Sequence, residues 1–512
     1  VLRPVALAAL LVATATSAAD RPRLGVFLVV DQLSAETFRA RLPLTTAGIK
    51  RLTQEGVTFY EARYEAAPTI TSVGHATLMT GAYGAVHGIT ANEWIEHETG
   101  TPRLSTEDAT YTVLGRAAHQ RDGTAPSWLR APTLADAIRG HHDKALAVSV
   151  SAKDRSAILC AGNAGLAVWF DAEKPFFTTS TFYAKELPAF LAPINTRLAD
   201  AVLKGAFKWG LPAGGVDGKA PVLAPVSGRQ GDSEPFAEAL EIQQPLDTAE
   251  VDVALSAIEQ LGLGKDDVPD LLTISFSAHD RIGHHYGPDS KESLDDFLHL
   301  DKEIGRLLAE LDKRVGRGRY VVAFSSDHGV APIPEVAKGR GLDAGHMDMK
   351  ALRELLDAEL DAALGKQDWF AGSKTPGLTF APALRAKAVG AYERLKKAAL
   401  KHPGVRALYL SSALDVNDPL QAHYRKGYVP GRTPDLIVLT KPYWTYGTYD
   451  RTGHATPYHY DSAVPLVFFG GALKKTAAGV AEAIDAAPTL SRLLDVPPPA
   501  AAQGRPLDAV FR

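Results

Sequence analysis

Short, unbroken apolar runs alternate along this chain with longer segments in which apolar residues recur every three or four positions. The runs are Leu24–Val30, Ala145–Ser151, Leu271–Phe276, Tyr320–Phe324, Leu436–Leu439 and Pro465–Phe469. Runs of this length without polar alternation predict parallel strands buried on both faces. The clearest helix between them is predicted from Ser290 to about Val315, where Leu294, Phe297, Ile304, Leu308 and Leu311 fall on one stripe. Strand and helix alternating over the whole length predict an α/β fold, with a mostly parallel central sheet covered by helices on both faces. Ligands of such sheets sit beyond the carboxyl ends of the strands. Asp31, Asp280 and Asp327 all fall there, after three different predicted strands.

Two stretches break the rhythm. Residues 165–247 are rich in proline and glycine, as in Gly210-Leu211-Pro212-Ala213-Gly214-Gly215, and are expected to form an insertion capping one edge of the site. Residues 331–433 are expected to be a second insertion holding two helices, near Ala351 to Leu364 and Val389 to Lys401. At the start, Arg3, the apolar run Val5 to Ala13 and the small residues Thr16 to Ala19 predict a signal peptide over residues 1–19. One catalytic domain then spans 20–512, in a protein expected to be exported to the periplasm or secreted. No other apolar run reaches the length of a membrane span.

Composition narrows the chemistry. A net charge of -4 at pH 7 supplies no basic stripe, so electrostatics do not point to a nucleic-acid partner. Small acidic substrates would have to be met by local cations or by a metal. The single cysteine, Cys160, excludes an intrachain disulfide and reads more readily as a small buried residue than as a nucleophile.

The polar residues at the strand ends form a metal-ligand pattern. Asp31 follows the first strand, Asp280 and His284 make a D-x-x-x-H pair, Asp327-His328-Gly329 follows another strand, and His454 lies shortly before the last one. Each has a bland alternative as a turn, a helix cap or an ordinary histidine. Together, acids and imidazoles converging on one sheet edge are costly unless paired or metal-bound. They are ligands that Zn²⁺ accepts, at about 2.0–2.2 Å. Six suffice for two three-ligand sites, and two metals can clamp both oxygens of an in-line displacement. His75, His87, His285, His346 and His459 lie near these motifs and are read as structural or supporting residues.

The segment Pro68-Thr69-Ile70-Thr71-Ser72-Val73-Gly74-His75 leads into a predicted helix, with Thr71 or Ser72 expected as its cap. Free N–H groups at such a helix start suit a phosphate. With Thr80-Gly81 downstream, this segment resembles the nucleophile region of the alkaline phosphatase superfamily. More narrowly, it is similar to the type I phosphodiesterase/nucleotide pyrophosphatase branch and to single-chain bacterial alkaline phosphatases with a threonine nucleophile. The likeness runs from Leu24 to Leu507 and includes Asn92-Glu93-Trp94, Lys153-Asp154-Arg155 and Ala487-Pro488-Thr489-Leu490. It implies two Zn²⁺ per chain, one held by Asp31, Asp327 and His328 and binding Thr71, the other held by Asp280, His284 and His454. It further implies that Asn92 donates to a phosphoryl oxygen and that a phosphothreonine is formed and then hydrolysed. The resemblance leaves room for an added Ca²⁺ site, to which no residue of this sequence is assigned. Relatives often carry glycine after the last histidine, where this chain has Ala455, a departure in a loop and not in a ligand.

The choice among esters turns on Lys153 and Arg155. A monoester dianion has an extra charged oxygen that two cations can satisfy, and the Lys-x-Arg pair resembles that of the bacterial threonine-type alkaline phosphatases. The resemblance therefore implies a phosphate-monoester hydrolase acting on small esters, expected as a monomer. The alternatives are a phosphodiesterase of the same branch and, more remotely, a non-catalytic phosphate- or metal-binding protein. A sulfatase fits less well, because no Cys/Ser-x-Pro-x-Arg segment is present.

Overall fold

The computed structural model describes residues 21–119, 121–172, 174–203, 244–447, 451–473 and 475–511. The leader expected over 1–19 and most of the proline- and glycine-rich stretch, 204–243, lie outside the described residues.

The apolar runs do become strands. Leu24–Val30, Ala147–Ser151, Asp270–Phe276, Tyr320–Ser325 and Ala463–Gly470 all lie in one ten-stranded sheet. Its middle is parallel: Leu24–Val30 runs between Asp270–Phe276 and Tyr320–Ser325, and Ala147–Ser151 lies on the far side of Asp270–Phe276. Toward one edge, Ala463–Gly470 runs antiparallel to both Tyr320–Ser325 and Val57–Arg63. Two apolar layers cover the faces. One contains Phe38, Leu255, Phe297, Leu307 and Leu311, and the other contains Leu78, Met79, Leu134, Ile138 and Leu490. The long helix is Lys291–Leu311, with Ser290 capping it by accepting from the Ser293 N–H.

Two readings of the interruptions change. The 165–247 stretch opens with Leu166–Asp171 and Phe176–Thr178, which are strands of the central sheet itself. The run Leu436–Leu439 is a strand, Leu436–Thr440, but it does not rejoin the central sheet. It pairs antiparallel with Val405–Leu410 and Gly377–Phe380 in a separate four-stranded sheet. Residues 331–433 thus hold strands as well as helices, and the segment expected as one helix near Val389 is divided into Arg385–Gly390 and Tyr392–Ala399. This smaller sheet has its own core, with Leu352, Leu356, Trp369, Phe380, Leu395 and Leu436 all buried. Among the described residues no helix is long and apolar enough to cross a membrane.

Register is what makes a site. Val29 lies opposite both Ser275 and Ser325, and Ser151 lies opposite Ser275. Two residues beyond each of those positions the chain leaves the sheet, so Asp31, Ser277, Asp327 and Lys153 emerge side by side at one end. The Ala278–Tyr286 helix then starts at once and carries Asp280 and His284 one turn apart.

Candidate active site

The six residues read as ligands come together in two groups. Asp31, Asp327 and His328 form one, Asp280, His284 and His454 the other, and in each the ligand atoms lie within 4.8 Å of one another. The groups adjoin, since the His328 and His454 rings stack with centroids 3.7 Å apart.

Each imidazole is fixed through the nitrogen that faces away from its group. His328 Nδ1 lies 2.9 Å from the Gly329 carbonyl, His284 Nδ1 2.8 Å from that of Thr452, and His454 Nδ1 2.7 Å from that of Thr69. A carbonyl only accepts, so all three rings carry the proton on Nδ1 and present the Nε2 lone pair inward. Burial pushes the pKa of His328 and of His454 down, so both rings stay neutral.

The carboxylates are oriented as well. Asp327 Oδ1 accepts from the Gln32 and His328 backbone N–H groups, at 3.1 and 3.0 Å, while Asp280 Oδ1 accepts from Gln32 Nε2 at 2.7 Å. Among the described residues, Asp327 Oδ2 and Asp31 Oδ1 have no aligned donor although both are buried. Lys153 Nζ spans the groups, 2.6 Å from Asp31 Oδ2 and 2.5 Å from Asp280 Oδ2. Burial raises the pKa of Asp31, the Asp327 and Asp280 charges add to that, and Lys153 does not offset them. Burial also raises Asp280 and Asp327, but the side chains beside them outweigh it: Lys153 and His284 hold Asp280 low, and His328 and His75 hold Asp327 low. Three buried carboxylates therefore face one buried ammonium, an excess of negative charge that a dication at each group would neutralise. The donor set, the inward lone pairs and the two undonated oxygens all fit metal ions.

Thr71 stands at this centre. Its Oγ1 lies 3.4 Å from His328 Nε2. The expected cap does not form: the cap position of the Thr71–Thr80 helix is Ile70, in extended conformation, and no side chain caps it locally. Thr71 is the first helical residue, so its hydroxyl is not spent on capping. The Ser72 N–H is satisfied from a distance instead, by Asn92 Oδ1 at 2.9 Å. Asn92 is thereby held beside Thr71 through its carbonyl end, which leaves the Nδ2 donors for a ligand. Gly74 lets the helix approach, because a Cβ there would lie 2.1 Å from the Asp327 carbonyl oxygen.

Lys153 and Arg155 stand differently. Lys153 is committed to two carboxylates, whereas among the described residues Arg155 has only Asp154 as an ion-pair partner, 3.7 Å from its Nη1, and its buried Nε has no acceptor. Cys160 is fully buried and burial drives its thiol pKa up, so it is a packing residue, not a nucleophile. His285 stays at the surface side of its helix, and His459 Nε2 pairs with Glu61 at 3.3 Å. Sequence reasoning missed Gln32. Its position directly after Asp31 was visible, but its left-handed φ of 72° and its reach to both metal groups were not.

Comparison with known proteins agrees with this geometry. The family model for type I phosphodiesterase / nucleotide pyrophosphatase matches residues 26–463. The chain is 28% identical to alkaline phosphatase PafA of Elizabethkingia meningoseptica, over 97% of this chain and 96% of that protein. It is 27% identical to alkaline phosphatase PhoK of a Sphingomonas species, over 96% of this chain and 92% of that protein. The crystal structure of wild-type PafA superposes with a TM-score of 0.87, covering 96% of this chain and 99% of that one at 28% identity. Murine ectonucleotide pyrophosphatase/phosphodiesterase 5, at 14% identity and a TM-score of 0.57 over 96% of this chain and 99% of that one, shares the fold. The family match over most of the chain, on an alkaline phosphatase-like α/β fold, places this protein in the type I phosphodiesterase / nucleotide pyrophosphatase family of the alkaline phosphatase superfamily.

Proposed function

We propose that this chain is a metal-dependent phosphate-monoester hydrolase of the alkaline phosphatase type, with Thr71 as nucleophile. The observation that carries the reading is the Thr71 hydroxyl at a helix head, not engaged in capping and 3.4 Å from His328 Nε2 of one candidate metal-ligand group. Asp31, Asp327 and His328 would hold one Zn²⁺, and Asp280, His284 and His454 a second. Bound there, the ions would supply the positive charge that favours an ionised Thr71 hydroxyl and stabilises charge on the leaving oxygen.

The chain's own residues then do the following. Thr71 Oγ1 attacks phosphorus, the ester P–O bond breaks, and the alcohol departs with a proton, leaving a phosphothreonine. Water attacks that phosphorus from the same side as the departed alcohol, inorganic phosphate leaves, and Thr71 regains its proton. Asn92, held by the Ser72 N–H, donates Nδ2 to a phosphoryl oxygen. The first-turn N–H groups of the Thr71–Thr80 helix other than that of Ser72 would face the same anion. Arg155 meets the extra oxygen that distinguishes a monoester from a diester, and Lys153 lies beside it. A PafA variant solved at a TM-score of 0.85 and 26% identity carries replacements of a threonine, an asparagine, a lysine and an arginine, the same four residue types as in this constellation. Every residue named lies in one chain, so a monomer acting on small phosphate esters suffices. The leader-like residues 1–19 support export to the periplasm or beyond.

The test compares matched chromogenic mono- and diesters. Arg155→Ala should lower monoester kcat/KM by about one to two decades, the worth of a charge-assisted contact of about 1.5–3 kcal/mol, and diester hydrolysis much less. Lys153→Ala should act in the same direction without lowering metal content, because losing its ammonium leaves Asp31 and Asp280 with more unneutralised charge for a dication to meet. Equal losses on both substrates, or a native preference for the diester, would replace this reading with a phosphodiesterase.

A further inference from the structure

One fully buried polar side chain beside Thr71 has no part in that mechanism. His75 sits one turn along the same helix and is 0% exposed. Its Nδ1 lies 2.8 Å from the Thr71 carbonyl and 3.3 Å from Asp327 Oδ2, and its Nε2 lies 2.7 Å from Ser275 Oγ. The Thr71 carbonyl can only accept, so Nδ1 carries the proton and Nε2 accepts from the Ser275 hydroxyl. Ser275 belongs to the strand adjoining Leu24–Val30, directly opposite Val29, so the ring is anchored to the sheet that delivers Asp31. The imidazole thus spans three things at once: the backbone of the nucleophile, one carboxylate of the metal group, and the rigid sheet beneath both. A ring that merely filled core space would need a partner for its donor and one for its acceptor, and Thr71 and Ser275 supply those. This one also brings its protonated nitrogen to 3.3 Å from Asp327 Oδ2, an oxygen with no aligned donor of its own among the described residues.

We infer that His75 is a positioning residue, which ties the first turn of the Thr71–Thr80 helix to the Asp327 carboxylate and thereby sets the metal affinity of the Asp31–Asp327–His328 group. The nucleophile and its metal site then move as one unit. Asp327 Oδ1 is already held by two backbone N–H groups, and the His75 ring packs against Oδ2, with Nδ1 3.3 Å away. The inference rests on the reading that this group holds a metal.

The experiment measures Zn²⁺ per chain at controlled free Zn²⁺ in the full-length protein, together with thermal unfolding. His75→Leu keeps the volume and removes the N–H. It should weaken one of the two equivalents by about 10–100-fold, the usual effect of losing a residue that orients a ligand, and leave the other unchanged. His75→Asn retains a donor and should recover part of the loss. Adding His328→Ala to His75→Leu should remove no further equivalent, whereas adding His454→Ala should remove the remaining one. If His75→Leu does not fold, Ser275→Ala takes its place and should weaken the same equivalent by about threefold or more. A wild-type chain with no tight Zn²⁺ removes the two-metal reading and this inference with it. Two tight equivalents left untouched by His75→Leu, or by Ser275→Ala in its place, remove the inference alone, as does equal weakening of both.

Discussion

Gly74→Ala is the smallest change that should disable the site, and its size can be worked out from the packing. An added Cβ would lie 2.1 Å from the Asp327 carbonyl oxygen and 2.7 Å from both its carbonyl carbon and its Cβ. Real Cβ atoms do not come within 3.0 Å of such neighbours, so helix and strand end must part by about 0.9 Å. Neither partner is a flexible side chain, and relief has to come from moving backbone. Overpacking of this kind costs about 1–3 kcal/mol, against which alanine returns about 1 kcal/mol of helix propensity. The net loss of stability is therefore modest. The functional loss is not, because the displaced element carries Thr71, whose Oγ1 stands 3.4 Å from His328 Nε2. A misplacement near 1 Å is worth about 10²-fold in rate. The assay is kcat/KM on a chromogenic monoester alongside thermal unfolding, with Gly390→Ala as the control, since an added Cβ there meets nothing within 4 Å. Folded Gly74→Ala with kcat/KM within about threefold of the parent would refute the argument that this contact sets the nucleophile.

Thr71→Ala should lower turnover by orders of magnitude while the folded chain keeps most of its metal, measured by steady-state rates and metal analysis; near-normal turnover would move the role to Ser72. Chelation should abolish monoester hydrolysis and Zn²⁺ should restore it, so full activity in metal-free protein would contradict the mechanism. Ala455 adopts φ 95° directly after His454, in the region that favours glycine, so Ala455→Gly should stabilise the chain by about 0.5–1 kcal/mol, read by thermal unfolding. Burial lowers the pKa of His87 from 6.5 to about 3, so below pH 6.5 the unfolded chain takes up a proton that the folded chain refuses. Its contribution is complete above 6.5 and lost as pH falls toward 3, with a slope of about 1.4 kcal/mol per pH unit that His87→Gln should remove from urea-unfolding curves.

Hydrophobic patterning by itself determined the strands that build the parallel centre of the sheet, because a strand buried on both faces needs an uninterrupted apolar run and nothing from elsewhere. The candidate ligand residues were legible for a related reason. Acids and histidines directly after such runs must surface at the sheet's carboxyl end, and Asp31, Asp280 and Asp327 did. What the local pattern could not carry was pairing. Leu436–Thr440 has the same apolar character as its counterparts, yet it lies in the smaller antiparallel sheet, because the strands it meets, Val405–Leu410 and Gly377–Phe380, are chosen by contacts across the chain. The division of the six candidate ligands into two groups, implied by family likeness, follows physically from strand register and from where a helix and a loop deliver His284 and His454. The same holds for the nucleophile. A helix beginning near Thr71 was readable, but not that Ile70 in place of Thr71 or Ser72 would hold the cap position, nor that Asn92 would satisfy the Ser72 N–H from twenty residues on. Nor was it readable that Lys153 would bridge Asp31, just after one strand, and Asp280, in the helix that follows another. Hydrogen bonds and ion pairs of that range exist only once the sheet has brought its ends together, so tertiary structure alone decided them.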